Sequence, residues 1–131
     1  MDERSEKNLK GVHPDLVKIV ERAHEIAIED GKDFIVTEGL RTVARQRELF
    51  AHGATTTMKS RHLNGHAVDL MAMVGGQGRW DWPLYEHLWG YMGQSAKELS
   101  FPLEWGGNWK KFKDGPHFQL PWKDYPLTAR D

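Results

Sequence analysis

The apolar residues of this chain change their spacing several times, and a glycine or proline stands at nearly every change. From Leu16 the apolar positions run Leu16, Ile19, Val20, Ala23 and Ala27, spaced by three and four. That period makes one stripe on a helix. His13-Pro14-Asp15 opens the segment, with the proline in the first turn, and Gly31 closes it. Phe34-Ile35-Val36-Thr37 then switches to a short β-rich run that ends at Gly39. Thr42 is placed to cap a second helix over 43–51, which Gly53 stops. Residues 53–61 read as a polar loop, and residues 1–12 as a polar lead-in.

The rest of the chain keeps the same rhythm. His66 to Met71 alternates as a strand, with Ala67 and Asp69 on one face and Val68 and Leu70 on the other. Gly75-Gly76-Gln77-Gly78 is a flexible break. Asp81 and Pro83 begin a third helix that carries Leu84, Leu88, Tyr91 or Met92, and Leu99. Short strands follow at 103–105 and 117–120, separated by Gly106-Gly107 and Gly115-Pro116. The expected fold is α+β: a small, mainly antiparallel sheet with helices packed on one side. At 131 residues the chain has room for one core, so one domain over 1–131 is expected.

Composition narrows the chemistry. There is no cysteine, so disulfides and thiolate metal sites are excluded, and a bound metal would need His, Asp or Glu. The net charge of -1 supplies no general attraction to nucleic acid, and no nucleic-acid partner is expected. No window approaches the about 18 consecutive apolar residues of a membrane span. Met1 to Lys10 lacks the apolar region of a signal peptide. Synthesis in the cytoplasm without stable membrane insertion is expected; action outside would then need another protein for release.

Seven histidines are available: His13, His24, His52, His62, His66, His87 and His117. Catalytic zinc takes three protein ligands and leaves a fourth position open. In Ser60-Arg61-His62-Leu63-Asn64-Gly65-His66-Ala67-Val68-Asp69, the Asn64-Gly65 turn lets His62 fold back beside a strand carrying Asp69. An Asp between Val68 and Leu70 is costly to bury alone, and a metal ion would supply the missing charge. His117 lies in a second short strand that a neighbouring position would bring to the same point. His62 and His66, four apart, form a rival pair, but Asn64-Gly65 opposes a helix there and position 63 is not Glu. Taken singly, each of these residues reads more readily as an exposed polar group, as most ionisable side chains are.

Together the residues resemble a known family. Ser60-x-His62-x-x-Gly65-x-Ala67-x-Asp69, followed by Asp114-Gly115-Pro116-His117, is similar to the two-part signature of the zinc peptidases that cut bacterial cell-wall peptides. That group includes D-alanyl-D-alanine carboxypeptidases, VanX-type dipeptidases and L-alanyl-D-glutamate endopeptidases. Asn8 to Leu16, Glu38-Gly39-Leu40-Arg41-Thr42 and Glu104-Trp105-Gly106-Gly107 resemble the L-alanyl-D-glutamate branch, found in phage endolysins and bacterial wall hydrolases. The resemblance runs in order from about residue 5 to about 120.

The resemblance implies Zn2+ held by His62, Asp69 and His117, with Asp114 as catalytic acid/base. It implies that Arg41 stabilises the oxyanion and that Ser60 contacts substrate; His66, next to the site, is a further candidate contact. It also implies the architecture shared by hedgehog domains and DD-peptidases. The expected activity is hydrolysis of the L-Ala–D-Glu bond of peptidoglycan stem peptides, in a monomeric phage endolysin that reaches the wall through a holin-type pore. Two rivals stand beside it: a D-Ala-D-Ala carboxypeptidase or dipeptidase, and a non-catalytic zinc-binding module. Many relatives read Gly-Gly-Asp-Trp where this chain has Gly106-Gly107-Asn108-Trp109. Of the six tryptophans, most are expected in the core.

Overall fold

The structure is a computed structural model that describes residues 1–55 and 59–127. Thr56, Thr57 and Met58 of the expected 53–61 loop, and the last four residues of the expected domain, lie outside the described residues. The elements run in the order α1 (Glu3–Asn8), α2 (Pro14–Glu29), β1 (Asp33–Glu38), α3 (Val43–Ala51), a 3₁₀ turn (Arg61–Asn64), β2 (Ala67–Val74), β3 (Gln77–Arg79), α4 (Trp82–Leu99), β4 (Glu104–Trp105), a 3₁₀ turn (Gly106–Asn108) and β5 (His117–Gln119).

The three longer helices form where the spacing placed them. The stripe of α2 buries Leu16, Ile19, Val20, Ala23 and Ala27. His13 caps it, its Nδ1 accepting from the Asp15 N–H. Thr42 caps α3 by accepting from the Arg45 N–H. Asp81 occupies the N-cap position of α4 but makes no capping bond, because its carboxylate is paired with Arg79 instead.

All strand pairs are antiparallel, in the order β1-β2-β5-β4, with β3 pairing β2. Strand alternation divides the sheet into two chemistries. One face carries Val36, Val68, Leu70 and Phe118, all buried in the core with α2 and α4. The other face carries the polar residues described below.

Three expectations are corrected. Residues 1–12 are not merely a lead-in, since they contain α1. Its anchors are polar: Ser5 Oγ accepts from the Val36 N–H and Asn8 Nδ2 donates to the Val36 carbonyl, each at 2.9 Å. Gly75-Gly76 is not a loose break but a tight hairpin turn, both residues at positive φ, joining β2 to β3. The tryptophans are mostly not core. Only Trp105 is buried, while Trp80, Trp82 and Trp122 are exposed. Trp105 instead anchors a stack with Trp82, Trp89 and Phe118.

Candidate metal centre and cleft

Register builds the site. Asp69 on β2 stands directly opposite His117 on β5, and Ala67 opposite Gln119. Glu104 on β4 stands opposite Gln119. Glu38 on β1 reaches Asp69 across a register shift. Each carboxylate or imidazole therefore projects from the polar face of the sheet.

His62 comes from outside the sheet. The 3₁₀ turn carrying it starts at Ser60, whose Oγ accepts from the His62 N–H, and ends at Gly65. Gly65 has φ of 72°, and a Cβ there would lie 2.2 Å from the Gly11 carbonyl oxygen. Only glycine allows both the left-handed backbone and this approach. The turn places His62 Nε2 at 3.2 Å from Asp69 Oδ1, while His117 Nδ1 approaches the same oxygen at 3.4 Å. One donor atom from each of the three residues lies within 4.8 Å of the others.

The outward-facing nitrogens decide what these donors can do. His62 Nδ1 is 2.8 Å from the Gly39 carbonyl oxygen, and His117 Nε2 is 2.7 Å from Gln119 Oε1. Both partners are acceptors, so each neutral ring carries its proton on that side. The remaining lone pairs then point at the Asp69 carboxylate. Two lone pairs and an anion converging on one point could hold a cation, and two imidazoles with one carboxylate are a donor set that suits zinc.

The titration of the cluster agrees. Burial pushes the Asp69 carboxyl up, but hydrogen bonds from His117 and His62 outweigh it and hold the group well below the carboxylate range. Burial pushes His117 down, and the hydrogen bond and charge of Asp69 reverse this to a net rise. Beside the Asp69 carboxylate, His117 thus holds a proton more firmly than a free imidazole does.

The trio opens onto a cleft of about 440 Å³, also lined by Glu38, Arg41, Ser60, Trp109, Asp114 and Trp122. Asp114 is held by its backbone: its N–H donates to the Gly106 carbonyl and its carbonyl accepts from the His117 N–H. A Cβ at Gly106 would lie 2.4 Å from the Asp114 carbonyl oxygen, so this glycine permits the approach. Burial, then the charge of Asp69, raises the Asp114 pKa against the lowering influence of His117, His62 and Arg41. Asp114 does not belong to the three-residue cluster. Arg41 is braced by Glu38 and by Gln46 Oε1 at 2.7 Å. Those bonds leave guanidinium N–H groups to spare for the cleft.

His66 is the exception among the expected site residues. It does not line the cleft; its ring packs against His13 and Tyr125. The one-residue step from Gly65 into β2 turns it to the opposite side from Asp69. His24 and His52 are engaged locally, with Asp33 and the Glu48 carbonyl. Asn108 is exposed at the end of its 3₁₀ turn. Sequence reasoning passed over Gln119, Glu38 and Trp109. Gln119 was visible as the residue two along a strand from His117, hence on its face. Trp109 lies with its ring centroid 5.2 Å from that of His117, a contact made by a loop and without local signal.

The family model described as phage L-alanyl-D-glutamate peptidase matches residues 1–120. The chain belongs to this family. The L-alanyl-D-glutamate peptidase of Escherichia phage T5 is 34% identical over 116 residues, 84% of this chain and 81% of that protein. The crystal structure of the Serratia marcescens L-Ala D-Glu endopeptidase ChiX matches with a TM-score of 0.90 and 47% identity, covering 97% of this chain and 93% of that one. The vancomycin resistance D,D-pentapeptidase VanY, solved in complex with Zn(II), shares the fold at a TM-score of 0.60 and 18% identity, over 83% of this chain and 72% of that one. The helices and antiparallel sheet of this chain are the fold it shares with the Serratia and VanY structures.

Proposed function

We propose that this family member hydrolyses the L-Ala–D-Glu bond of peptidoglycan stem peptides, using Zn2+ held by His62 Nε2, Asp69 Oδ1 and His117 Nδ1. The observation that carries the reading is the convergence of these three atoms, with both imidazole protons drawn to the outside. The phage T5 and Serratia relatives, both named for this bond, support the substrate. The Zn(II) bound by VanY supports the ion.

Zinc in such a set supplies Lewis acidity, bringing the pKa of water to about 7 and polarising a carbonyl. The chain's own residues do the rest. Asp114, on the cleft wall, accepts the proton of the attacking water and returns it to the leaving amine. A neighbouring dication would counter the burial and Asp69 repulsion that raise its pKa, keeping it a base at neutral pH. Arg41 faces the carbonyl oxygen as negative charge builds, with Glu38 and Gln46 holding it in place beforehand. Ser60 lines the same wall and orients His62 through its cap. The reading extends to a monomeric lysin that gains the wall through a holin-type pore.

Turbidity of outer-membrane-permeabilised bacteria tests the activity. Addition of the protein is expected to clear the suspension, a chelator to stop this, and added zinc to restore it. Clearing that persists in excess chelator would overturn the metal-dependent reading.

A further inference from the structure

We propose that Glu104 and Gln119 form a positioning pair that selects which nitrogen of His117 faces the metal, and so sets zinc affinity. The proposal rests on the zinc reading above and adds a role for two residues beyond the ligands.

The two ligand histidines are oriented by different means. His62 donates to a backbone carbonyl, that of Gly39, which no side-chain change removes. His117 depends on the side chain of Gln119, whose Oε1 lies 2.7 Å from its Nε2. An amide is ambiguous, because turning it over would present its NH₂ to the imidazole. His117 would then have to accept at Nε2 and carry its proton on Nδ1, the atom that faces Asp69. That tautomer has no lone pair on the nitrogen that faces the metal site.

Glu104 removes the ambiguity. Its Oε2 lies 3.1 Å from Gln119 Nε2. A carboxylate only accepts, so the NH₂ of Gln119 must face Glu104 and its oxygen must face His117. The chain of bonds runs His117 to Gln119 to Glu104 in one direction. Register makes it possible: Glu104 stands opposite Gln119, and Gln119 lies two residues from His117 on the same face. Gln119 is 6% exposed, so water is poorly placed to take over its role. No ligand is replaced in this arrangement; the pair acts through His117.

Competition with a chromophoric chelator measures zinc affinity directly, and ¹⁵N shifts of the His117 ring report which nitrogen carries the proton. Gln119→Leu is expected to weaken zinc binding by about 10- to 100-fold, the usual effect of losing an outer partner of a metal-bound histidine. Glu104→Gln keeps size and shape but frees the amide to turn, so a smaller, several-fold loss with a changed ring signal is expected. Combining Glu104→Gln with Gln119→Glu puts a carboxylate beside His117 and an amide donor behind it. This double swap is expected to restore affinity, a rescue that packing alone does not require of a pair whose single variant is already isosteric. Equal zinc affinity in the unsubstituted chain, Gln119→Leu and Glu104→Gln would overturn the pair while leaving the zinc reading intact. Failure of the double swap to recover the loss in Glu104→Gln would also overturn it. An unsubstituted chain that binds no zinc would overturn the zinc reading, and the pair with it.

Discussion

Asp69 and Asp114 share one cleft and titrate in opposite directions. Asp69, beside His117 and His62, is held low, whereas Asp114 is buried beside that same negative charge and is held high. The contrast fits the roles proposed for them, Asp69 as ligand and Asp114 as base. Asp69→Ala is expected to purify without zinc, and Asp114→Ala to retain zinc while losing about 10²–10⁴-fold in turnover. Metal analysis beside a peptide-release assay checks both, and a zinc-free Asp114→Ala protein would contradict the assignment. A stability consequence follows for the metal-free chain. The folded pKa of Asp114 lies above its unfolded value, so its ionised form costs stability above the ordinary carboxylate range. Asp114→Asn is therefore expected to raise the melting temperature of the chelated protein at neutral pH. The gain should vanish below the unfolded value of about 3.9, where the carboxyl is protonated in both states. Melting curves across pH decide this, and a gain that persists in acid would count against it.

Elements held by local chemistry were legible in the sequence; those held by partners were not. The proline start and apolar stripe of α2, and the Thr42 cap of α3, act within a few residues of themselves. By contrast α1 is six residues long and fixed by Ser5 and Asn8 to the backbone of Val36, about 30 positions away, so no stripe announces it. The exposed strand β3 exists only as the return of a hairpin on β2. The convergence of His62, Asp69 and His117 was legible in part from the alternation around Asp69 and the Asn64-Gly65 turn, and the two-part motif resemblance singled the three out. The bracing of Arg41 by Glu38 and Gln46 was not, since it needs the β1–α3 crossover to be folded. The turn itself offers a test. Gly65→Ala would have to hold a φ of 72° and clash with the Gly11 carbonyl, so His62 should lose its aim. Reduced zinc affinity by chelator competition, together with a lower melting temperature, is expected; unchanged affinity would show that the turn does not position His62.

At the scale of the molecule, the sheet separates two tasks. Its apolar face is closed by α2 and α4, and its polar face, roofed by the His62 turn and the loops carrying Trp109 and Asp114, forms the cleft. The apolar core lies on the face away from the trio, whereas the trio joins the short His62–Asp69 segment to His117, far along the chain. Zinc should thus bind only the folded chain and stabilise it by mass action. At free zinc near 100 times its Kd the gain is about 2.7 kcal/mol. For a chain of this size that corresponds to roughly 10 °C in Tm, by the usual size scaling. Thermal melts with zinc and with chelator measure it, and identical curves would contradict a folded-state metal site. Among the described residues no helix is long and apolar enough to cross a membrane. The most direct test of the whole account is digestion of purified peptidoglycan by the zinc-loaded protein, with the new termini read by mass spectrometry. New N-terminal D-Glu, absent when His117→Ala replaces the protein, is the expected result; release of free D-alanine or of D-Ala-D-Ala, or no new terminus at all, would contradict it.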